Sequence, residues 1–207
     1  MTTVEEVLAR ALSMVGRGTL YWLGTGGLDP HADSPAAALA VGREWPRLPP
    51  DQQAMFRPLA EAAGLNVDDP ALVVPACDCS GYVCWALGIS RRIKGADGRD
   101  LWINTDSIWD DATGPGLQFQ KIDRAIEGCL VVYPKPEPGS GENFGHVGLV
   151  IQVDPDGHAT HIAHCAASNF TEAPHDAIKV NAAEAFQQHS TSVYAWFRRE
   201  TTGSTPR

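Results

Sequence analysis

The stretch Phe144-Gly145-His146-Val147-Gly148-Leu149-Val150-Ile151 decides the fold, because its residues alternate between the two faces of a β-strand. Three apolar side chains point to one face, while His146 and Gly148 share the other. We predict a strand over residues 144–153. A histidine beside a glycine indicates a bare area on that face, which we expect a helix terminus to approach.

A turn sequence follows this strand and sets the register of the next one. Asp154-Pro155-Asp156-Gly157 suits a type I turn closed by a left-handed glycine, and it leads into a second predicted strand, Ala159–Cys165. Pairing outward from the turn puts His164 on the face of His146, at a diagonal separation of roughly 7–8 Å between backbones. A slip of one residue would put His161 there instead. The turn geometry favours His164.

The remaining pattern predicts helices first and an antiparallel meander later, which is typical of an α+β domain. Two further strands are predicted over residues 129–133 and 192–198, with a surface loop over 134–141. Helices are predicted over residues 1–16, with Thr3 and Glu6 as a capping box, over 50–63, with Met55, Phe56, Leu59 and Ala63 on one face, and over 79–87.

The length of 207 residues, 43% of them hydrophobic, fits one ordinary domain. We expect it to span residues 1–200, with N-terminal helices packed on a central antiparallel sheet. Residues 25–76 read as an inserted helical segment that is rich in proline, alanine and turn residues. Residues 201–207 are predicted to be a disordered tail.

The segment Asp78-Cys79-Ser80-Gly81-Tyr82-Val83 places a cysteine in the first turn of a short helix. Free N–H groups and the helix dipole favour negative charge there, so we expect the pKa of Cys79 to fall from about 8.5 into roughly the 3.5–7.5 range. Gly81 is expected to leave the first turn unobstructed. The alternative is that Cys79 is only a small buried hydrophobe, an interpretation that suits three other cysteines better: Cys84, Cys129 and Cys165.

A cysteine thiolate, a histidine that moves its proton and a polar group that orients the histidine make a complete acyl-transfer site. Cys79, His146 and His164 supply these three parts, and no cofactor or metal is needed. Attack on an amide would give a thioacyl-enzyme, with the N–H groups of Cys79 and Ser80 as oxyanion donors. The other histidines of the second half are interpreted as solvated or edge-strand residues: His158, His161, His175 and His189.

These motifs resemble the NlpC-type cell-wall cysteine peptidases, which have a papain-like fold and cut peptide bonds in bacterial peptidoglycan. The resemblance extends over segments 18–24, 78–83, 128–133, 146–150 and 161–166. It implies Cys79, His146 and His164 as the catalytic residues, with Tyr21 near the sulfur and with Asp78 and Ser80 of the nucleophile motif in support. Two features depart from the family pattern: the interval over residues 25–76 is much longer, and Cys129 stands where an acidic residue is usual.

Charge and cysteine count narrow the function further. The formal net charge of −9 argues against nucleic acid or an anionic membrane as the partner, because both require clustered Lys and Arg. Five cysteines leave at least one thiol free and make a disulfide framework improbable at this length. The first helix lacks the features of a signal peptide, and no apolar run approaches the roughly 20 residues of a membrane span.

We therefore expect a peptidase or amidase acting on peptidoglycan stem peptides. Without a cleaved leader, it would reach the periplasm or cell wall by injection into a rival cell, by phage release or by another export route. Injection also predicts a neutralising immunity protein as a partner.

Three alternatives stay open at this point. The fold could serve a cytoplasmic amidase, deamidase or acyltransferase acting on a protein or lipid, or the domain could be a catalytically silent binding module. A metal site would recruit cysteines and histidines whose spacing lacks the Cys-x-x-Cys pattern of common zinc sites: Cys77, Cys79, Cys84, His161, His164 and Cys165.

Overall fold

Seven α-helices and eleven strands are present in the computed structural model, which describes residues 3–94, 100–135 and 145–198. The helices are α1 (Val4–Ser13), α2 (Val41–Glu44), α3 (Pro50–Ala62), α4 (Cys79–Leu87), α5 (Thr105–Thr113), α6 (Ala167–Phe170) and α7 (Glu184–Gln187). The strands are β1 (Leu20–Tyr21), β2 (Ala37–Leu39), β3 (Val74–Cys77), β4 (Arg92–Lys94), β5 (Asp100–Trp102), β6 (Phe119–Ile122), β7 (Leu130–Tyr133), β8 (His146–Val153), β9 (Ala159–Cys165), β10 (Ile178–Ala182) and β11 (Val193–Phe197).

The central sheet has six antiparallel strands in the order β10-β9-β8-β7-β11-β6. Strands β7, β8 and β9 form the predicted meander, which continues into β10, a strand that was not predicted. The fourth predicted strand, β11, lies between β7 and β6. The mixed α+β class predicted from the sequence is confirmed, because one antiparallel sheet carries the chain's long strands while the helices lie outside it.

The β8–β9 turn has the predicted geometry. Gly157 has φ +81°, and the Asp154 N–H donates to the His158 carbonyl at 2.9 Å. Leu149 pairs with Ala163 farther along the hairpin, which is the register counted outward from the turn. The pairing shifts by one residue at Gln152 and shifts back at Val153. Side chains at both ends of the hairpin therefore lie on the predicted faces of the sheet.

Helix α4 is buried on every side and lies against the apolar face of β8. Its residues Tyr82 and Val83 share one core cluster with Val147 and Leu149. A small sheet of order β1-β3-β2 precedes α4, and its strand β3 continues directly into α4 through Asp78. The nucleophile motif thus sits where the small sheet ends and the central sheet begins.

The space beside Gly148 is filled by side chains and not by a helix terminus, so that expectation is wrong. A Cβ at Gly148 would meet Ile162 Cγ2, His164 Cβ at 3.1 Å and Phe186 Cζ at 3.1 Å. The apolar helix α4 needs the apolar face of the strand, which leaves the glycine face to α7 and its Phe186.

Several predicted elements agree with the structure, and others were missed. The Thr3–Glu6 capping box is present, and α4 and β9 have the predicted bounds. Helix α3 is present, but Met55 is 65% exposed while Ala60 is its buried residue. The elements missed were short or polar: β1 to β6, β10, α2 and α5 to α7. Segment 25–76 contains β2 and α2 together with the predicted helix α3.

Parts of three predictions concern residues outside the described ones. These are the tail over residues 201–207, the loop over 134–141 beyond residue 135, and Phe144 at the start of the predicted strand. Within the described residues, no helix combines the length and the apolar character that crossing a membrane requires.

Replacing Gly148 with alanine should destabilise the fold by about 1–3 kcal/mol, because the new methyl group enters a fully packed space between Ile162 and Phe186. Urea unfolding monitored by circular dichroism measures this loss. Gly64→Ala is the control, since its Cβ would meet open space and only the positive φ of 74° costs about 1 kcal/mol. Equal stability of Gly148→Ala and wild type would contradict this packing.

Candidate active site

A buried ion pair holds the N-terminus of α4. Asp78 Oδ1 accepts the Gly81 N–H at 2.8 Å and so caps the helix, while Oδ2 accepts the Gly24 N–H at 2.7 Å. Arg91 Nη2 donates to the same Oδ2 at 2.7 Å, and both side chains are at most 2% exposed. A buried charge is tolerated when it is paired and fully hydrogen-bonded, as both are here.

Arg91 contacts three other segments of the chain around Cys79. Its guanidinium donates to Ser80 Oγ at 2.8 Å, to the Thr25 carbonyl at 3.2 Å and to the Ile103 carbonyl at 3.1 Å. It also lies 4.4 Å from the centre of the Trp102 ring, a cation–π distance. The sequence offered no signal for this role, since two adjacent arginines after a helix usually indicate a solvated surface.

The first turn of α4 is covered by backbone. A Cβ at Gly81 would meet the Thr25 carbonyl oxygen at 2.8 Å and Gly26 at 2.9 Å, and a Cβ at Gly27 would enter the Gly81 backbone. The space that Gly81 was expected to leave open is therefore taken by the glycine-rich segment 24–27. Gly27 has φ +72°, which favours glycine in addition to this close approach.

The Cys79 thiol is buried and un-ionised, which overturns the expected low pKa. The residue is 4% exposed, and burial raises its pKa to about 12, with the Asp78 carboxylate adding to the rise. The N–H groups of Val147 and Ser80 and the charge of Arg91 act in the opposite direction. The helix terminus fails to stabilise a thiolate mainly because the sulfur is buried, and the Asp78 carboxylate adds to this effect.

His146 and His164 form a hydrogen-bonded pair on the glycine-containing face of β8. His146 Nε2 lies 2.7 Å from His164 Nδ1. Burial lowers the pKa of His146 to about 3, with His164 and His189 adding to it, and burial lowers the pKa of His164 to about 4. Both rings are therefore neutral at pH 7, and one of them donates the shared proton.

His161, the alternative third residue, points away from the pair. Its side chain is exposed, and its Nδ1 lies 3.2 Å from Thr160 Oγ1. His161 and His164 are three residues apart on β9, so their side chains lie on opposite faces of the strand. Only His164 is on the face of His146.

An aromatic cluster, not foreseen from the sequence, supports the histidine pair. Phe186 stacks on His146 with centroids 5.1 Å apart, and Tyr133 packs edge-on against Phe186 at 5.9 Å. His189, which is half-buried, stacks on Tyr133 with ring centroids 3.8 Å apart. These rings exclude water from one side of His146.

Tyr21 lies beside the nucleophile strand. Its backbone pairs with Cys77 in the parallel β1–β3 ladder. Burial raises the pKa of Tyr21, and the charges of Cys79 and Asp78 add to this rise, so the hydroxyl is within electrostatic reach of the sulfur. It is a neutral hydrogen-bond donor at ordinary pH.

All five cysteines are free and buried, three of them at positions interpreted as small hydrophobes: Cys84, Cys129 and Cys165. Within residues 3–94, 100–135 and 145–198, no three His, Cys, Asp or Glu side chains are grouped to hold a metal ion.

Residues 73–166 match the family model of the CHAP domain. CHAP domains occur in NlpC and papain-like cell-wall peptidases and amidases, so the resemblance inferred from the motifs is confirmed. The match indicates a hydrolase of the amidase or peptidase type with peptidoglycan as its substrate. It includes Cys79, His146 and His164 but not Tyr21. Neither the curated proteins nor the solved structures include a match to this chain.

Replacing Arg91 with methionine should destabilise the protein by about 3–5 kcal/mol, because it leaves the Asp78 carboxylate buried without its partner. Chemical unfolding measures the loss, and adding Asp78→Asn, which keeps a capping side chain, should recover part of it. Arg57→Met is the matched control, since Arg57 also pairs with an aspartate at 2.7 Å but at the surface, where such pairs contribute little. Equal effects of the two arginine substitutions would contradict the role of Arg91.

The histidine pair should make the folded state less stable at acid pH. Unfolded histidine binds a proton below about pH 6.5, whereas the folded pair resists protonation down to about pH 4. Because the unfolded state binds more protons in this window, the free energy of unfolding falls as the pH drops through it.

Between pH 7 and pH 5 the free energy of unfolding of wild type should therefore fall by about 2 kcal/mol more than that of His164→Gln. Urea unfolding at each pH measures both values. His161→Gln, which replaces an exposed histidine of the same strand, should behave as wild type. The same acid loss in all three proteins would refute neutral burial of the pair.

Proposed function

We propose that this protein is a papain-like cysteine hydrolase that cleaves amide bonds in peptidoglycan stem peptides. Cys79 is the nucleophile, His146 the general base and then the general acid, and His164 the residue that orients His146. The observation that supports this most is the 2.7 Å contact between His146 Nε2 and His164 Nδ1, next to Val147, whose N–H interacts with the Cys79 sulfur. The CHAP match includes all three residues.

The reaction would start from a neutral thiol and a neutral imidazole. If His146 donates its Nε2 proton to His164 Nδ1, its own Nδ1 is left with a free lone pair to accept the Cys79 proton. The sulfur then attacks the amide carbonyl as the proton leaves, so no stable thiolate is required beforehand. The resulting imidazolium returns the proton to the departing amine, and water hydrolyses the thioester with His146 again acting as base.

The oxyanion of each tetrahedral intermediate would lie at the start of α4. The Asp78 cap uses the Gly81 N–H, so we assign the N–H groups of Cys79 and Ser80 as donors, with the un-ionised Tyr21 hydroxyl in support. Asp78 and Ser80 contribute through the Arg91 network, since both side chains face that guanidinium. They would position the nucleophile without touching the scissile bond.

Peptidoglycan lies outside the cytoplasm, so we propose that the protein acts in the periplasm or cell wall. Delivery by injection into a rival cell, by phage release or by another export route would bring it there. The injected route would require an immunity protein in the producing cell. Segment 25–76 contains helix α3 and strand β2, and β2 pairs with β3, the strand that leads to Cys79. This segment would then border the cleft and limit which peptides enter it.

Digestion of purified sacculi tests this function. Wild type should release soluble muropeptides cut at a peptide or amide bond, identified by mass, while Cys79→Ala should be slower by at least about 1,000-fold because it lacks the nucleophile. His164→Gln should also lower the rate strongly, since His146 then lacks its orienting acceptor.

His161→Gln is the matched control and should digest sacculi at the wild-type rate. Identical fragment profiles from wild type and Cys79→Ala would refute the hydrolase. Wild-type activity on small amide or acyl substrates but none on sacculi would favour the alternative of an amidase or acyltransferase with a protein or lipid substrate.

A further inference from the structure

Two of the five cysteines, Cys77 and Cys165, contact each other close in sequence to the residues proposed as catalytic. Cys77 ends β3, and Cys165 ends β9. The Cys165 thiol donates to the Cys77 carbonyl at 3.3 Å, and the Cys77 thiol donates to the Asp78 carbonyl at 3.3 Å. Burial raises the pKa of Cys165, and the neighbouring Cys77 side chain adds to this rise. Neither residue is exposed to solvent.

The positions of the two sulfurs connect the two halves of the site. Cys77 precedes the nucleophile Cys79 by two residues, and Cys165 directly follows His164. They are 88 residues apart in the chain, although β3 and β9 belong to different sheets. A covalent bond between them would join the strand that leads to the nucleophile to the strand that carries the orienting histidine.

We propose that Cys77 and Cys165 form a redox-sensitive dithiol that closes to an intramolecular disulfide in an oxidising environment. One thiol, after losing its proton, attacks a small-molecule disulfide and releases one thiol from it. The second cysteine then displaces the other half, so two protein thiols are oxidised to one disulfide and the reagent is reduced to two thiols. Because both sulfurs are buried, exchange takes place during folding or through local opening of the structure.

The 3.3 Å contact between the Cys165 sulfur and the Cys77 carbonyl oxygen separates this pair from the other cysteines. Cys129 lies in a second core cluster with Val131 and Ile162, and Cys84 lies on α4. Two other cysteines are neighbours of this pair: Cys79 affects the pKa of the Cys165 thiol, and Cys77 affects the pKa of Cys84. Cys79 is removed because it is also the proposed nucleophile. The test is therefore carried out in a Cys79→Ala background.

Refolding the Cys79→Ala protein with glutathione disulfide, followed by alkylation in denaturant, should leave only Cys84 and Cys129 alkylated. Fragmentation mass spectrometry should identify a peptide linked through Cys77 and Cys165, two hydrogens lighter than its reduced form. The melting temperature should rise by roughly 5–10 °C over the reduced protein, because the bond closes a long loop. Reduction should reverse both changes.

Cys165→Ala should abolish the linked peptide and the melting shift, whereas Cys129→Ala, a matched buried cysteine, should keep both. Full alkylation of Cys77 and Cys165 after oxidation, or a bond that uses Cys84 or Cys129, would overturn the proposal. If the Cys165→Ala variant does not fold, the peptide linked through Cys77 and Cys165 in the oxidised Cys79→Ala protein tests the proposal by itself. These readouts are mass and melting temperature, so loss of the dithiol is distinguishable from failure of the hydrolytic function.

Discussion

The buried pair of Asp78 and Arg91 is the interaction on which the site depends. Asp78 follows β3, caps α4 and accepts the Gly24 N–H. Arg91 donates to the carbonyl oxygens of Thr25 and Ile103. Taking two charges out of water is costly unless every donor and acceptor is used. The cost is offset here by hydrogen bonds from several distant parts of the chain, so the pair exists only when those parts are assembled.

Burial, with the Asp78 carboxylate adding to it at Cys79, explains why the cysteine and the histidines of the candidate site are un-ionised. A carboxylate at the helix terminus next to Cys79 opposes a second negative charge, and burial opposes charge on both reacting groups. Proton transfer would then accompany attack on the substrate instead of preceding it. The proposed chemistry is therefore a general-base mechanism without a preformed thiolate, and its rate would depend strongly on the orientation of His146.

The two faces of β8 have different surroundings. One face packs on α4 and belongs to the main core, and the other carries His146 and the aromatic rings of Tyr133 and Phe186. Gly148 makes this division workable because any side chain there would displace Phe186 or His164. The strand period of two residues thus assigns each side chain its role, and a register slip would exchange them.

The amino-acid sequence by itself determined the features that depend on neighbours in the chain. The capping box at Thr3, the bounds of α4 and the hairpin register that selects His164 all follow from local periodicity and turn geometry, and the CHAP match supports the same motifs. Only the tertiary structure decided that Arg91 is the partner of Asp78, that Cys79 is un-ionised and that Phe186 occupies the space beside Gly148. Each of these features depends on contacts between segments that are far apart in the chain. Burial in particular depends on how all segments pack together, and a local sequence pattern does not contain that information.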